Sequence, residues 1–136
     1  MTFSELILTV AALGEPNLGS LEKALSCEFK QAQDHRYYTV HTGDCADDMT
    51  VEFRVPKPEA TFKDLLIAKP KPNGYNAQTV IDVLGMEPQA MGFVGEHIFF
   101  YTFFKDGKKL GFGFETHHAD PPWPELKTVT VEWLSE

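Results

Sequence analysis

Histidine, cysteine and clustered carboxylates are the side chains in this sequence suited to chemistry. His117 and His118 stand beside Asp120, and His97 opens a segment that a hairpin folds back toward them. Those four residues are the candidates for a metal centre, or for a small metal- or ligand-binding enzyme. Their spacing matches no established ligand signature. The competing reading is a wet hairpin end, where neighbouring strand residues such as His117 and His118 point to opposite faces. Cys27, His41 and Asp44 have the residue types of a nucleophilic set, but nothing around Cys27 resembles the context a catalytic cysteine requires. Asp44, Asp47 and Asp48 crowd together as in a calcium loop, without the glycine and terminal glutamate such a loop needs. A solvated acidic loop fits them better. Gly111 and Gly113 fall within a strand and cradle no phosphate. The expectation is therefore a non-enzymatic chain with no catalytic residue, no metal and no cofactor.

The elements that would position these residues are organised around His97 to His118. Asp106-Gly107 lies between two apolar runs, and a two-residue type I′ turn needs positive φ at both central positions, which Asp-Gly supplies. With Asp106 and Gly107 at the tip, Phe103 faces Leu110, Tyr101 faces Phe112 and Phe99 faces Phe114. That aromatic face is the expected core. Ile98, Phe100, Thr102 and Phe104 lie on the other face, opposite Glu115, Gly113, Gly111 and Lys109.

Upstream, Thr2-Phe3-Ser4-Glu5 is a capping box ahead of Leu6, Ile7, Val10 and Ala11 at helical spacing, with Gly14 and Pro16 as the stop. Residues 20–27 predict a second short helix. Residues 36–42 and 49–55 read as strands flanking the acidic loop, and 61–68 as a short helix. A proline-rich linker at 69–74 follows. Asn76 is the expected cap of a helix that runs to Leu84. His117 to Pro124 reads as a loop, and Leu126 to Leu134 as a last strand with Val129, Val131 and Trp133 inward. The fold class expected is α+β: an antiparallel sheet with short helices on one face.

At 136 residues, 43% hydrophobic and 24% charged, the chain is sized for one compact domain, 1–136. A net charge of −8 opposes nucleic-acid binding, which needs a basic footprint, and would favour a basic partner. No run reaches membrane-spanning length. The apolar stretch Leu6 to Leu13 has no Lys or Arg before it, so the sequence as given reads as cytoplasmic, with a periplasmic location open if a signal peptide has been removed. Cys27 and Cys45 are either free thiols or one disulfide; two cysteines do not decide it.

Two pieces of the chain look alike. Residues 10–16 (Val-Ala-Ala-Leu-Gly-Glu-Pro) resemble 81–88 (Ile-Asp-Val-Leu-Gly-Met-Glu-Pro), and 50–53 (Thr-Val-Glu-Phe) resemble 130–133 (Thr-Val-Glu-Trp). The order is the same in both halves, which suggests internal repeats at 1–58 and 59–136. The second half, with its short helix near Phe62, its Thr79-Val80…Leu84-Gly85 helix and its aromatic meander, resembles the SmpA/BamE-like outer-membrane-assembly lipoproteins. Doubled in one chain, the pattern is similar to the β-lactamase inhibitory protein family. It departs from the lipoproteins in lacking their lipidation cysteine and signal. The resemblance implies two α-β units forming one concave sheet, with helices on the convex side and a protein bound in the hollow.

On that reading the chain is an inhibitor or immunity protein that neutralises a bacterial toxin or hydrolase by direct binding; an envelope assembly factor is a further alternative. The partner-binding candidates of the second half are Phe100, Phe104, Glu115 and Glu132. Those of the first half are Tyr37, His41, Glu52 and Arg54, with the acidic loop of Asp44, Asp47 and Asp48 beside them. The number of copies in the assembly stays open at this level.

Overall fold

A computed structural model describes residues 2–61, 63–71, 77–95, 98–115 and 125–134. Helix α1 (Phe3–Ala11) starts at the capping box, with Thr2 and Glu5 each satisfying the other's backbone N–H. Helix α2 (Leu18–Leu25) is capped by Asn17, whose side chain accepts from the Ser20 N–H, and it ends at Ser26 in the left-handed conformation. The chain then enters β1 (Cys27–Asp34), β2 (Tyr38–Cys45), a 3₁₀ turn (Ala46–Asp48), β3 (Thr50–Pro56) and β4 (Leu65–Lys69). Helix α3 (Ala77–Leu84) follows and stops at Gly85, whose φ of +67° is the left-handed conformation that glycine adopts most readily. Four more strands follow among the described residues: β5 (Ala90–Val94), β6 (Ile98–Lys105), β7 (Lys108–Glu115) and β8 (Glu125–Trp133).

Among the described residues, eight strands form one antiparallel sheet in the order β1-β2-β3-β4-β8-β7-β6-β5. The fold is α+β, as the residue pattern indicates. The turn between β6 and β7 has positive φ at both Asp106 (51°) and Gly107 (75°). It sets the register read from the sequence: Phe103 opposite Leu110, Tyr101 opposite Phe112, Phe99 opposite Phe114.

One side of the sheet is the core. Val51, Phe53, Leu66, Ala68, Phe103, Leu110, Phe112, Phe114, Val129 and Val131 are all buried on it, in the same cluster as Phe3, Leu6, Ile7 and Val10 of α1, Leu21 and Leu25 of α2, and Val80 of α3. The helices therefore share the face to which these strands turn their apolar side chains. The carbonyls just past α1 are held by the strands: Lys108 Nζ donates to Leu13 O at 2.6 Å and Trp133 Nε1 donates to Gly14 O at 2.7 Å. Burial pushes the Lys108 ammonium below its ordinary pKa, against the smaller opposing pull of the Asp106 carboxylate.

The structure corrects several expectations. The helix expected over 61–68 is not found among its described residues. Leu65 to Lys69 is strand β4, because its alternation places Leu66 against Phe53 and Ala68 against Val51, and β8 pairs with its other side. Strands β1 and β5 were not foreseen. Both lie at sheet edges: β1 is polar at most positions, and β5 (Ala-Met-Gly-Phe-Val) is apolar on both faces around a glycine, so neither shows the one-sided alternation that marks an inner strand. The matching segments 50–53 and 130–133 lie in β3 and β8, third from one edge and fourth from the other. The Asn76 cap, the Phe62 side chain and the 117–124 loop lie outside the described residues.

Candidate functional site

The strand positions that alternate with the core make up the second face of the sheet. From the first half come Val40, Thr42, Glu52 and Arg54, with Ile67 of β4 beside them; Thr130 and Glu132 of β8, then Phe100, Thr102 and Phe104 of β6, continue the face. Most of these side chains are half-exposed, and Phe104 is 46% exposed. The Phe100 ring lies over the glycines of β7: a Cβ built on Gly113 would come within 2.7 Å of Phe100 Cζ, and one on Gly111 would collide with Thr130 Oγ1. The glycines therefore make the slot that holds Phe100 against bare backbone. Phe104, four positions on, has no such slot.

On the first half, Arg54 is set between two neighbours. Its Nε pairs with the Glu52 carboxylate, and its guanidinium lies 5.3 Å from the centre of the Tyr38 ring. The stack and the ion pair together fix a long side chain that would otherwise lose its freedom only on binding. Beside this group the face dips into a depression of about 350 Å³ lined by Thr42, Asp44, Thr50, Glu52, Ile67 and Lys69, with Lys30 and Gln31 at its rim. A bulge between Phe29 and Gln31 turns Lys30 out of the regular alternation and lets its Nζ reach Asp44 at 3.2 Å. A second hollow of about 400 Å³ shares Gln31 and Thr42 and extends to Gln33 and Val40. Together they form a shallow, mixed-charge surface suited to polar contacts along a polypeptide.

Of the residues singled out from the sequence, Phe100, Phe104, Glu115, Glu132, Glu52, Arg54 and Asp44 share this second face. His41 does not. It pairs with Phe53, so its ring turns to the helix side and meets Phe29 and Phe53 at 6.5 Å each. Tyr37 precedes β2 in a bend and is 43% exposed, with Arg36 over its ring. The face positions of β2 are Tyr38, Val40 and Thr42. Alternation in 36–42 gives no means of choosing between the two parities, since aromatic, aliphatic and polar residues occupy both. Asp47 and Asp48 are exposed on the 3₁₀ turn, both with positive φ, and Asp44 is engaged by Lys30.

Cys27 is bonded to Cys45, which removes the thiol that a nucleophilic set with His41 and Asp44 would use. Among the described residues no three His, Cys, Asp or Glu side chains converge as a metal site would require. His97, His117, His118 and Asp120 lie outside the described residues. Four described carboxylates have displaced pKa values: Glu5, at the helix cap, and Asp47, on the 3₁₀ turn, are both lowered, and Asp34 and Asp64 are the other two. Asp34 is held low by the Thr39 hydroxyl, which donates to it at 2.9 Å, and by nearby Lys57. Asp64 is pushed up by burial. None of the four lies in the depression. Lys69, Ile67 and Gln31 were missed from sequence because β1 and β4 were missed; no local signal marks them. No helix among the described residues is long and apolar enough to cross a membrane. Comparison with protein-family models, with curated proteins and with solved structures finds no match to this chain.

Proposed function

We propose that the chain is a non-enzymatic protein-binding module, an inhibitor or immunity protein that neutralises a bacterial toxin or hydrolase by direct binding. The observation that carries this reading is the sheet face opposite the helices, where a fixed Arg54-Tyr38-Glu52 group and the exposed Phe104 ring stand on a rigid eight-stranded platform. Arginine and aromatic residues held in place before contact are the anchors that dominate protein interfaces. A net charge of −8 supports a basic partner. The Cys27–Cys45 disulfide supports an encounter in an oxidising compartment, such as the periplasm. The element order also supports a duplicated unit: helices then the meander β1 to β4, a helix then the meander β5 to β8, joined through β4 and β8.

The test uses the immobilised chain to capture proteins from its native host, in parallel with Arg54→Ala and Phe104→Ala variants. A hydrolase or toxin retained by the wild type, released at least ~5-fold faster by either variant, and silenced at one molar equivalent would support the reading. Equal retention by both variants, or full activity of the captured protein in the complex, would refute it.

A further inference from the structure

We infer that β5 is the contact strand of a symmetric dimer, in which it pairs antiparallel with β5 of a second copy of this chain. The core does not end inside the molecule. A row of rings runs across β6 from Phe103 through Tyr101 and Phe99 at centroid spacings of 6.4 and 5.3 Å, and passes to Phe93 of β5 at 5.1 Å. Phe103 is fully buried, while Phe93 is 62% exposed and its strand neighbours Met91 and Val94 are 66% and 61% exposed. The apolar stripe thus emerges at the last strand of the sheet, where, among the described residues, one side of the backbone has no strand beside it.

The two edges are built differently. Strand β1 carries Glu28, Lys30 and Asp34 and is bulged at Lys30, the devices that keep an edge from pairing. Strand β5 reads Ala-Met-Gly-Phe-Val, with no charge, no proline and no bulge. It is also self-complementary about Gly92. A two-fold axis there sets Met91 against the partner's Phe93 on the helix side, and Ala90 against the partner's Val94 on the other. Thioether against ring and small against large are favourable cross-strand pairs. Gly92 faces the partner's Gly92 with open space where a Cβ would stand.

The three exposed side chains present on the order of 350 Å² of apolar surface per copy. With the backbone, the pairing would bury about 1,000 Å² in total, at the low end for a specific interface and well short of an obligate one. A dimer that forms at micromolar concentration and above follows. Its salt dependence is set by the rest of the molecule. Each copy carries −8 and the contact strand carries nothing, so screening the repulsion should tighten association.

Sedimentation equilibrium of the full chain over a concentration series, at about 20 mM and about 300 mM NaCl (Debye lengths of roughly 20 Å and 6 Å), tests this. The expected result is a mass rising from 15.3 kDa toward twice that value, with a stronger association constant at the higher salt. Phe93→Lys and Met91→Lys should each weaken dimerisation at least 10-fold while the circular dichroism spectrum stays native. Gly92→Cys should yield a covalent dimer on mild oxidation, because the two-fold register places those positions opposite each other. A monomer throughout the series, tighter association at low salt, masses growing beyond the dimer, or a Gly92→Cys variant that stays monomeric under oxidation would each overturn the inference.

Discussion

Phe103 and Phe104 are neighbours in sequence and opposites in the sheet, so alanine at each position reads the register directly. Phe103 is fully buried, with Phe112 at 5.9 Å and Tyr101 at 6.4 Å from its ring centre; Phe104 is 46% exposed. Emptying a buried phenylalanine site costs about 3–5 kcal/mol, from lost transfer free energy plus the cavity. Truncating a half-exposed one costs about 1 kcal/mol. An unfolding entropy near 2.1 cal/mol/K per residue gives roughly 290 cal/mol/K for a chain of this length, or about 3.5 °C of Tm per kcal/mol. Phe103→Ala should therefore lower Tm by about 10–17 °C and Phe104→Ala by about 3–4 °C. Differential scanning calorimetry at neutral pH measures both. Drops within 3 °C of each other, or a larger drop for Phe104→Ala, would refute the register. A one-residue slip exchanges the two faces along the whole hairpin, and the partner-binding surface proposed above would then be the core.

Other expectations follow from single contacts. A Cβ on Gly43 would overlap the backbone carbonyl of Glu28, and neither can move without opening the β1–β2 ladder. Gly43→Ala should cost more than ~2 kcal/mol in urea denaturation, and a neutral outcome would count against this pairing. Replacing both Cys27 and Cys45 by alanine releases a loop with a sequence separation of 18, which the chain-entropy relation values at about 3 kcal/mol. A loss under ~1 kcal/mol would show that the bridge adds little to the hairpin. Lys108 has a lowered pKa when folded, so the unfolded chain binds more protons between that value and about pH 10.4. Stability should rise with pH through that window in the wild type and lose that rise in Lys108→Met; equal slopes would contradict it. The Asp34 carboxyl should titrate below its ordinary value by NMR and move up in Thr39→Val, since the hydroxyl bond favours the charged form.

The hairpin was legible because its signal is local. Asp106-Gly107 fixes the turn, and alternation from Phe99 to Phe114 then fixes the face. Helix α1 was legible for the same reason, since Thr2, Glu5 and the apolar spacing all lie within one short segment. Residues 65–69 failed the same test. Leu-Leu-Ile-Ala-Lys fits a helix or a buried strand, and what decides is the presence of β3 and β8 on either side, contacts no local pattern contains. His41 was assigned to the wrong face because β2 takes its parity from β3, through Phe53, and not from its own composition. The second-half face was read correctly from the hairpin turn; the first-half face had no turn signal of comparable strength.

Strand β8 comes late in the chain yet pairs in the interior of the sheet, between β4 and β7. The bonds that fasten the end of α1 also span the sequence, at separations of 95 residues for Lys108 to Leu13 and 119 for Trp133 to Gly14. A ribosome adding about 5–20 residues per second needs on the order of 10 s to make what lies between. Through that interval the nascent first half must hold Leu6, Ile7 and Val10 without their final neighbours, and β4 must wait with one side unpaired. Closure of the sheet therefore waits for β8, and until then the nascent chain is a natural client for a holdase. Removing β8 would not shorten the sheet by a strand; it would divide it in two.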